Sequence, residues 1–268
     1  VPQDGYLEEM LKPFVDEKIG YVSAPSICSS NADHSWAARA RLYAEGLLHG
    51  AQQAGHGNGF APLCFGSHYA VRTKALYEIG GLGPELAEDH STSMIMNANG
   101  WRGAHAIDAL AIGDGPETFA DAMTQEFQWS RSLMNLLLMW TPKYIKGLPW
   151  KMKVQFVFAQ LWYLLYSSMM LIGFLIPLVA IVTNTPFVSV SYASFAVLNF
   201  VNIAIVFSIM RFLKKNDLLL LYDAKHISWE AIVFQLARWP WTLFGVLSSV
   251  HDFIRQRECA FKVTPKNK

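Results

Sequence analysis

Apolar and polar positions change their spacing several times along the chain, and each change marks an element. Over residues 4–17, Leu7, Met10, Leu11, Phe14 and Val15 recur at helical spacing, and Ile19–Ala24 then reads as a strand stopped by Pro25. The pattern predicts a helix near 33–50, a strand near 68–72, a short helix closed by Gly80-Gly81, and a helix from Asp89 to Asn99 closed by Gly100. A strand-like stretch over 104–112 leads to Asp114-Gly115-Pro116, where Pro116 is predicted to open a long helix. The pattern then changes in kind. From Val154 to Met210, 57 residues pass without Asp, Glu, Lys, Arg or His. A bilayer core takes roughly 20 helical residues, so two spans are predicted, near 155–182 and 187–210, turning at Thr183-Asn184-Thr185-Pro186.

The flanks give this hairpin a direction. Lys143, Lys146, Lys151 and Lys153 precede it, Arg211, Lys214 and Lys215 follow it, and the turn is uncharged. Under the positive-inside rule both ends face the cytoplasm. A further apolar stretch, 227–254, carries Glu230, Arg238, Trp239-Pro240-Trp241, His251 and Asp252. Aromatics beside charges suit a helix lying in the headgroup region, with a third full span as the alternative. Residues 133–150 have the same character. The chain thus divides into a soluble α/β unit (1–130), an amphipathic interface region (131–153), a transmembrane hairpin (154–215), an interfacial helix region (216–257) and a final segment (258–268).

Charge sharpens the division. The 22 Lys+Arg and 21 Asp+Glu balance to +1 overall. Residues 1–126 hold 7 basic and 16 acidic groups, whereas 127–216 hold 8 basic and none acidic. The basic groups cluster beside apolar runs rather than on a polar face, which argues against a nucleic-acid binder. The three cysteines are scattered and odd in number, which argues against a zinc ribbon or a disulfide framework and fits a reduced compartment. Val1 is not an initiator methionine, and the chain reads as an internal segment.

Three groups of residues could carry chemistry. Glu88-Asp89 stands at a predicted helix start, where Asp89 either caps the helix or accepts a proton; the helix-terminal field favours the ionised carboxylate. Gln125, Gln128 and Trp129 fall at i, i+3 and i+4 on one helix face. An indole beside amides can bind a sugar, although Trp129 equally suits a core or interface position. Phe261, Thr264 and Lys266 lie in a basic tail, where a hydroxyl and an ammonium could grip a diphosphate. Gly55-His56-Gly57-Asn58-Gly59 lacks the context of a phosphate cradle and reads as a loop. No histidine pair has metal-ligand spacing.

The order of these groups resembles the membrane-embedded family 2 glycosyltransferases that make polysaccharides, nearest the cellulose synthase catalytic type. Ala87-Glu88-Asp89 matches the family's Thr-Glu-Asp motif with its first position changed. Gln125 to Trp129 matches Gln-x-x-Arg-Trp with Gln128 in place of arginine, and Phe261 to Lys266 matches the gating loop Phe-x-Val-Thr-x-Lys. Gly66-Ser67, Ile79-Gly80-Gly81, Gly100-Trp101, Pro116-Glu117-Thr118-Phe119 and Trp239-Pro240 are similar too, while Leu63-Cys64-Phe65-Gly66 departs from the family's Phe-Phe-Cys-Gly.

The resemblance implies the C-terminal half of a GT-A-type α/β glycosyltransferase domain followed by transmembrane and interfacial helices. Asp89 would be the general base, with Glu88 beside it. Trp129 and Gln125 would meet the acceptor or nucleotide-sugar, Arg131 would stand in for the arginine missing at Gln128, and Phe261, Thr264 and Lys266 would close over UDP. A divalent cation, Mg or Mn, is implied, with its Asp-x-Asp ligands upstream of Val1. The implied activity is processive, inverting transfer from a UDP-sugar, UDP-glucose first, to a β-linked polysaccharide crossing the plasma membrane, with accessory subunits as further partners. The alternatives are a non-processive glycolipid transferase and an inactive channel or assembly relative.

Overall fold

The structure is a computed structural model that describes residues 1–66, 68–187, 189–220 and 228–257. Helix α1 (Tyr6–Leu11) runs through a 3-10 turn into strand β1 (Ile19–Ser23), followed by β2 (Ser26–Ile27) and helix α2 (Trp36–Leu47). Strand β3 (Tyr69–Val71), α3 (Thr73–Glu78), α4 (Glu88–Ala98), β4 (Arg102–His105) and β5 (Ala111–Ile112) complete the mixed α/β part. β1 is central, antiparallel to β3 and parallel to β4, and buried along its whole length. That explains its continuous Ile-Gly-Tyr-Val apolar run: a strand covered on both faces does not alternate. β2 pairs with β5 in a second, parallel two-stranded sheet. The single strand expected over 104–112 is therefore two, because Ala106 to Leu110 turn the chain from one sheet to the other.

Helix α5 (Phe119–Asn135) begins later than a Pro116 start would place it. Thr118 is its cap: the Thr118 hydroxyl accepts from the Asp121 N–H, and the Asp121 carboxylate accepts from the Thr118 N–H. This reciprocal pair satisfies two otherwise orphaned donors, which Pro116 cannot do. A π-helical turn (Leu136–Trp140) and α6 (Thr141–Tyr144) connect α5 to α7 (Trp150–Thr183). α8 (Tyr192–Lys215), α9 (Trp229–Ala237) and α10 (Trp239–Arg255) follow.

α7 and α8 are each long and apolar enough to cross a bilayer. α7 has 34 residues, about 51 Å at the usual helical rise, which exceeds a hydrocarbon core. The surplus is accounted for by its first half, where Phe156, Gln160, Tyr163 and Ser167 form a buried stripe at three- and four-residue spacing. The apolar stretch expected as one interfacial segment is two helices, parted at Arg238, with Pro240 in the first turn of α10. α10 packs lengthwise on α5. Gly245 makes this possible: a Cβ there would stand 2.5 Å from the Phe127 carbonyl oxygen and closer still to the Ser130 hydroxyl.

Among the described residues, three ion pairs also fasten α9 and α10 to α2 and α5. Arg39 on α2 holds Glu230 at 2.9 Å, Arg131 on α5 holds Asp252 at 2.6 Å, and Arg238 holds Glu126 at 2.9 Å.

Candidate active site

Asp89 is the second residue of α4, and the helix begins without a side-chain cap, at Ala87. Its carboxylate is therefore not a cap. Oδ2 accepts from the Gly66 N–H at 2.6 Å, and Oδ1 accepts from the neighbouring His90 N–H at 2.6 Å. Burial pushes its pKa up to about 6, and these two hydrogen bonds only partly oppose that rise. The helix-terminal field alone favours a low value, so the desolvating surroundings outweigh it. A carboxyl with this pKa is ionised at neutral pH yet has real affinity for a proton.

The Gly66 N–H reaches Asp89 because the preceding loop is anchored residue by residue. Gln155 on α7 brackets Ala61, accepting from its N–H at 2.9 Å and donating to its carbonyl at 2.6 Å. The Tyr21 hydroxyl donates to the Pro62 carbonyl at 2.6 Å, Gln53 accepts from the Leu63 N–H at 2.9 Å, and the Ser93 hydroxyl accepts from the Cys64 N–H at 2.8 Å. Gly66 then turns through the left-handed region, φ +57. α4 is buried from His90 to Asn97 although its sequence there is rich in Ser and Thr. Those hydroxyls hold loops: Ser91 donates to the Pro84 carbonyl at 2.8 Å and Thr92 accepts from the Gly83 N–H at 2.8 Å. His90 reaches α7, 3.2 Å from Gln160, and burial lowers its pKa to about 4, so it is neutral beside Asp89.

The start of α4 is tied to α5 by a hydrogen bond. The Ala87 N–H donates to the Ser132 hydroxyl at 3.0 Å, and Ser132 stands three residues beyond Trp129 on the same face of α5. Trp129 is 37% exposed. Arg41, from α2, places its guanidinium 4.8 Å over the Trp129 ring, donates to Gln125 Oε1, and pairs with Glu45 at 2.6 Å. Gln125 and Trp129 thus share Arg41 as a partner, and Glu88 opens α4 beside Asp89.

The remaining residues named from the sequence lie elsewhere. Gln128 is buried and lines a groove with Phe119, Met123 and Trp241, on the α10 side of α5. Arg131 also faces α10, in its ion pair with Asp252. Phe261, Thr264 and Lys266 lie outside the described residues, as does Ser67. Arg41, Glu45, Ser132, Gln53 and Gln155 are members of the site or its supports that sequence spacing does not mark. Among the described residues no group of three or more His, Cys, Asp or Glu could hold a metal ion. The described residues therefore do not fit a divalent cation.

The raised carboxyl fixes the sign of a pH effect. Were Asp89 to act as a base it would have to be unprotonated to accept, so activity would fall as pH drops through about 6 and be flat above it. A pH profile of kcat/KM measures this, and an acid limb near the ordinary aspartate value, about 3.9, would contradict it.

The chain is 28% identical over 116 residues to the cellulose synthase catalytic subunit [UDP-forming] of Pseudomonas fluorescens. It is 31% identical over 103 residues to the cellulose synthase 1 catalytic subunit [UDP-forming] of Komagataeibacter xylinus, and 28% identical over 114 residues to cellulose synthase 2 of Novacetimonas hansenii. These matches take in 43%, 38% and 42% of this chain and 16%, 14% and 7% of the relatives, so the chain spans a small part of their length. Residues 1–210 match the family described as glycosyl transferase family group 2. With an α/β unit joined to two bilayer-length apolar helices, and with most of its length inside that match, this chain belongs to glycosyl transferase family group 2.

Proposed function

We propose that the chain is the acceptor-side and membrane-embedded part of a polysaccharide synthase that transfers a sugar from a UDP-sugar, UDP-glucose first, to a growing β-linked polymer with inversion. The observation that carries this reading is Asp89: a carboxyl raised to about 6, oriented by the Gly66 N–H, on the helix whose start is bonded to the turn of α5 following Trp129.

The acceptor sugar lies on the Trp129 ring, and the Gln125 amide donates to one of its hydroxyls. Asp89 takes the proton of the attacking hydroxyl. The hydroxyl oxygen bonds to the anomeric carbon from the face opposite UDP, and the bond to the diphosphate oxygen breaks with its electron pair leaving on UDP. Opposite-face attack gives inversion. Phe261, Thr264 and Lys266, whose order resembles a gating loop, are the residues proposed to bind the departing diphosphate. α7 and α8 cross the plasma membrane with their basic flanks on the cytoplasmic side.

The test is incorporation of radiolabelled UDP-glucose by the full-length protein reconstituted in lipid vesicles. A long glucan that is cut by a β-glucanase supports the reading; a single sugar on a lipid assigns the chain to glycolipid synthesis. Gln128, where the related motif has arginine, favours one further alternative, an inactive assembly relative. Release of no UDP from any UDP-sugar in the presence of Mg or Mn would establish that alternative.

A further inference from the structure

We propose that Arg41 is a positioning residue that locks Trp129 and Gln125 into a single acceptor platform and leaves one face of the indole for sugar. The proposal rests on the polymerising reading above and adds a residue that neither sequence motif contains. Its basis is the way Arg41 divides its contacts. The guanidinium lies 4.8 Å above the indole, so one ring face is occupied and a sugar can stack only on the other. The same group donates to Gln125 Oε1, which fixes the amide and turns its NH2 donors away from Arg41.

Glu45 explains why the role concerns a neutral sugar rather than a diphosphate. Its carboxylate holds Arg41 at 2.6 Å, with the two side chains only 11% and 10% exposed. Its second oxygen accepts from the Cys28 N–H at 3.0 Å. The positive charge is thus compensated within α2 and the partner is itself tethered. A guanidinium held this way can orient an indole and an amide, but a diphosphate would have to compete with Glu45 for it.

The experiment measures initial rates of the full-length protein in vesicles against a soluble β-glucan oligosaccharide and, separately, against UDP-glucose. Arg41→Gln should raise the acceptor KM about tenfold, as expected for losing a partly desolvated cation–π contact and its hydrogen bond. kcat and the UDP-glucose KM should stay within about twofold, since uniform binding of the acceptor is what is lost. Arg41→Lys, which keeps a cation over the ring, should recover part of the acceptor KM. If Arg41→Gln fails to accumulate, the Lys variant carries the test by an intermediate rise in acceptor KM.

In a Trp129→Ala background the Arg41 substitution should add less than it does alone, because its contact with the ring is already lost and only the Gln125 hydrogen bond remains to lose. An unchanged acceptor KM in an active variant overturns the proposal, and so does an effect confined to UDP-glucose KM or kcat, or one that adds fully to that of Trp129→Ala. Failure of the wild-type protein to transfer sugar would instead sink the proposed function, so the two failures are distinguishable.

Discussion

Asp89→Asn should lower sugar transfer by roughly 10²- to 10⁴-fold while leaving the protein folded. Asparagine is nearly isosteric, and its amide oxygen can still accept from the Gly66 N–H that holds the carboxylate at 2.6 Å, giving up only the local bond from the His90 N–H in the first turn of α4. What it cannot do is take a proton from an acceptor hydroxyl. The loss therefore belongs in kcat and in kcat/KM alike, with acceptor binding on the Trp129–Gln125 platform preserved. Labelled-sugar incorporation measures the first, thermal unfolding in detergent the second. Unchanged turnover would remove Asp89 from the chemistry altogether, and a collapse in melting temperature would make its role one of holding the loop at Gly66.

The second large effect is on stability. Glu126 neighbours Gln125 in sequence but points away from the candidate site, into the junction of α9 and α10. There Arg238 Nη1 donates to both Glu126 oxygens, at 3.0 and 2.9 Å, with side chains 10% and 3% exposed. This is a buried pair, and removing one partner of such a pair costs about 3–5 kcal/mol because the other charge is left without compensation. Glu126→Gln should therefore strand Arg238, whose guanidinium lies 4.9 Å over the Tyr166 ring and 5.8 Å over Phe234, and lower stability by about that amount. Exposed ion pairs contribute less, typically about 0–1 kcal/mol, and Arg102–Asp16 is of that kind. Combining Glu126→Gln with Arg238→Met removes the stranded charge and should restore much of the loss. Thermal unfolding of the two variants in detergent checks this. A single variant as stable as the parent, or a double variant worse than the single, would show that the pair does not hold α5 to the α9–α10 junction.

The two variants should separate cleanly. Asp89→Asn loses turnover and keeps its melting temperature, whereas Glu126→Gln loses melting temperature first.

Local signals in the sequence reached some of this architecture and not the rest. The two long apolar helices are legible because 57 residues without Asp, Glu, Lys, Arg or His have few other uses at that length, and α7 and α8 cover most of them. The Asp89 helix is legible from its Gly100 terminator, and Gln125 with Trp129 from a spacing of four, since one helical turn brings them to one face. Thr118-x-x-Asp121 is an equally local capping signal, and it outranks Pro116 because it bonds two orphan donors.

The rest depends on contacts between distant segments. Arg41 meets Gln125 across 84 positions, and Gln155 brackets Ala61 across 94. No periodicity encodes either. The pKa of Asp89 is hidden for the same reason: the helix start is visible in the sequence and argues for a low value, while the burial that reverses the sign comes from the loop and helices packed around it. Gln128 shares the sequence spacing of Gln125 and Trp129, yet it lies at the edge of their face, and α10 covers it there.

One measurement bears directly on the idea that Asp89 and the Trp129–Gln125 pair serve one acceptor: a cryo-electron microscopy structure of the full-length protein with a bound β-glucan oligosaccharide. The terminal ring should stack on the indole face opposite Arg41, with its attacking hydroxyl within hydrogen-bond reach of an Asp89 oxygen, about 2.6–3.2 Å. An oligosaccharide bound away from Trp129, or a terminal hydroxyl turned from Asp89 toward another base, would contradict the account.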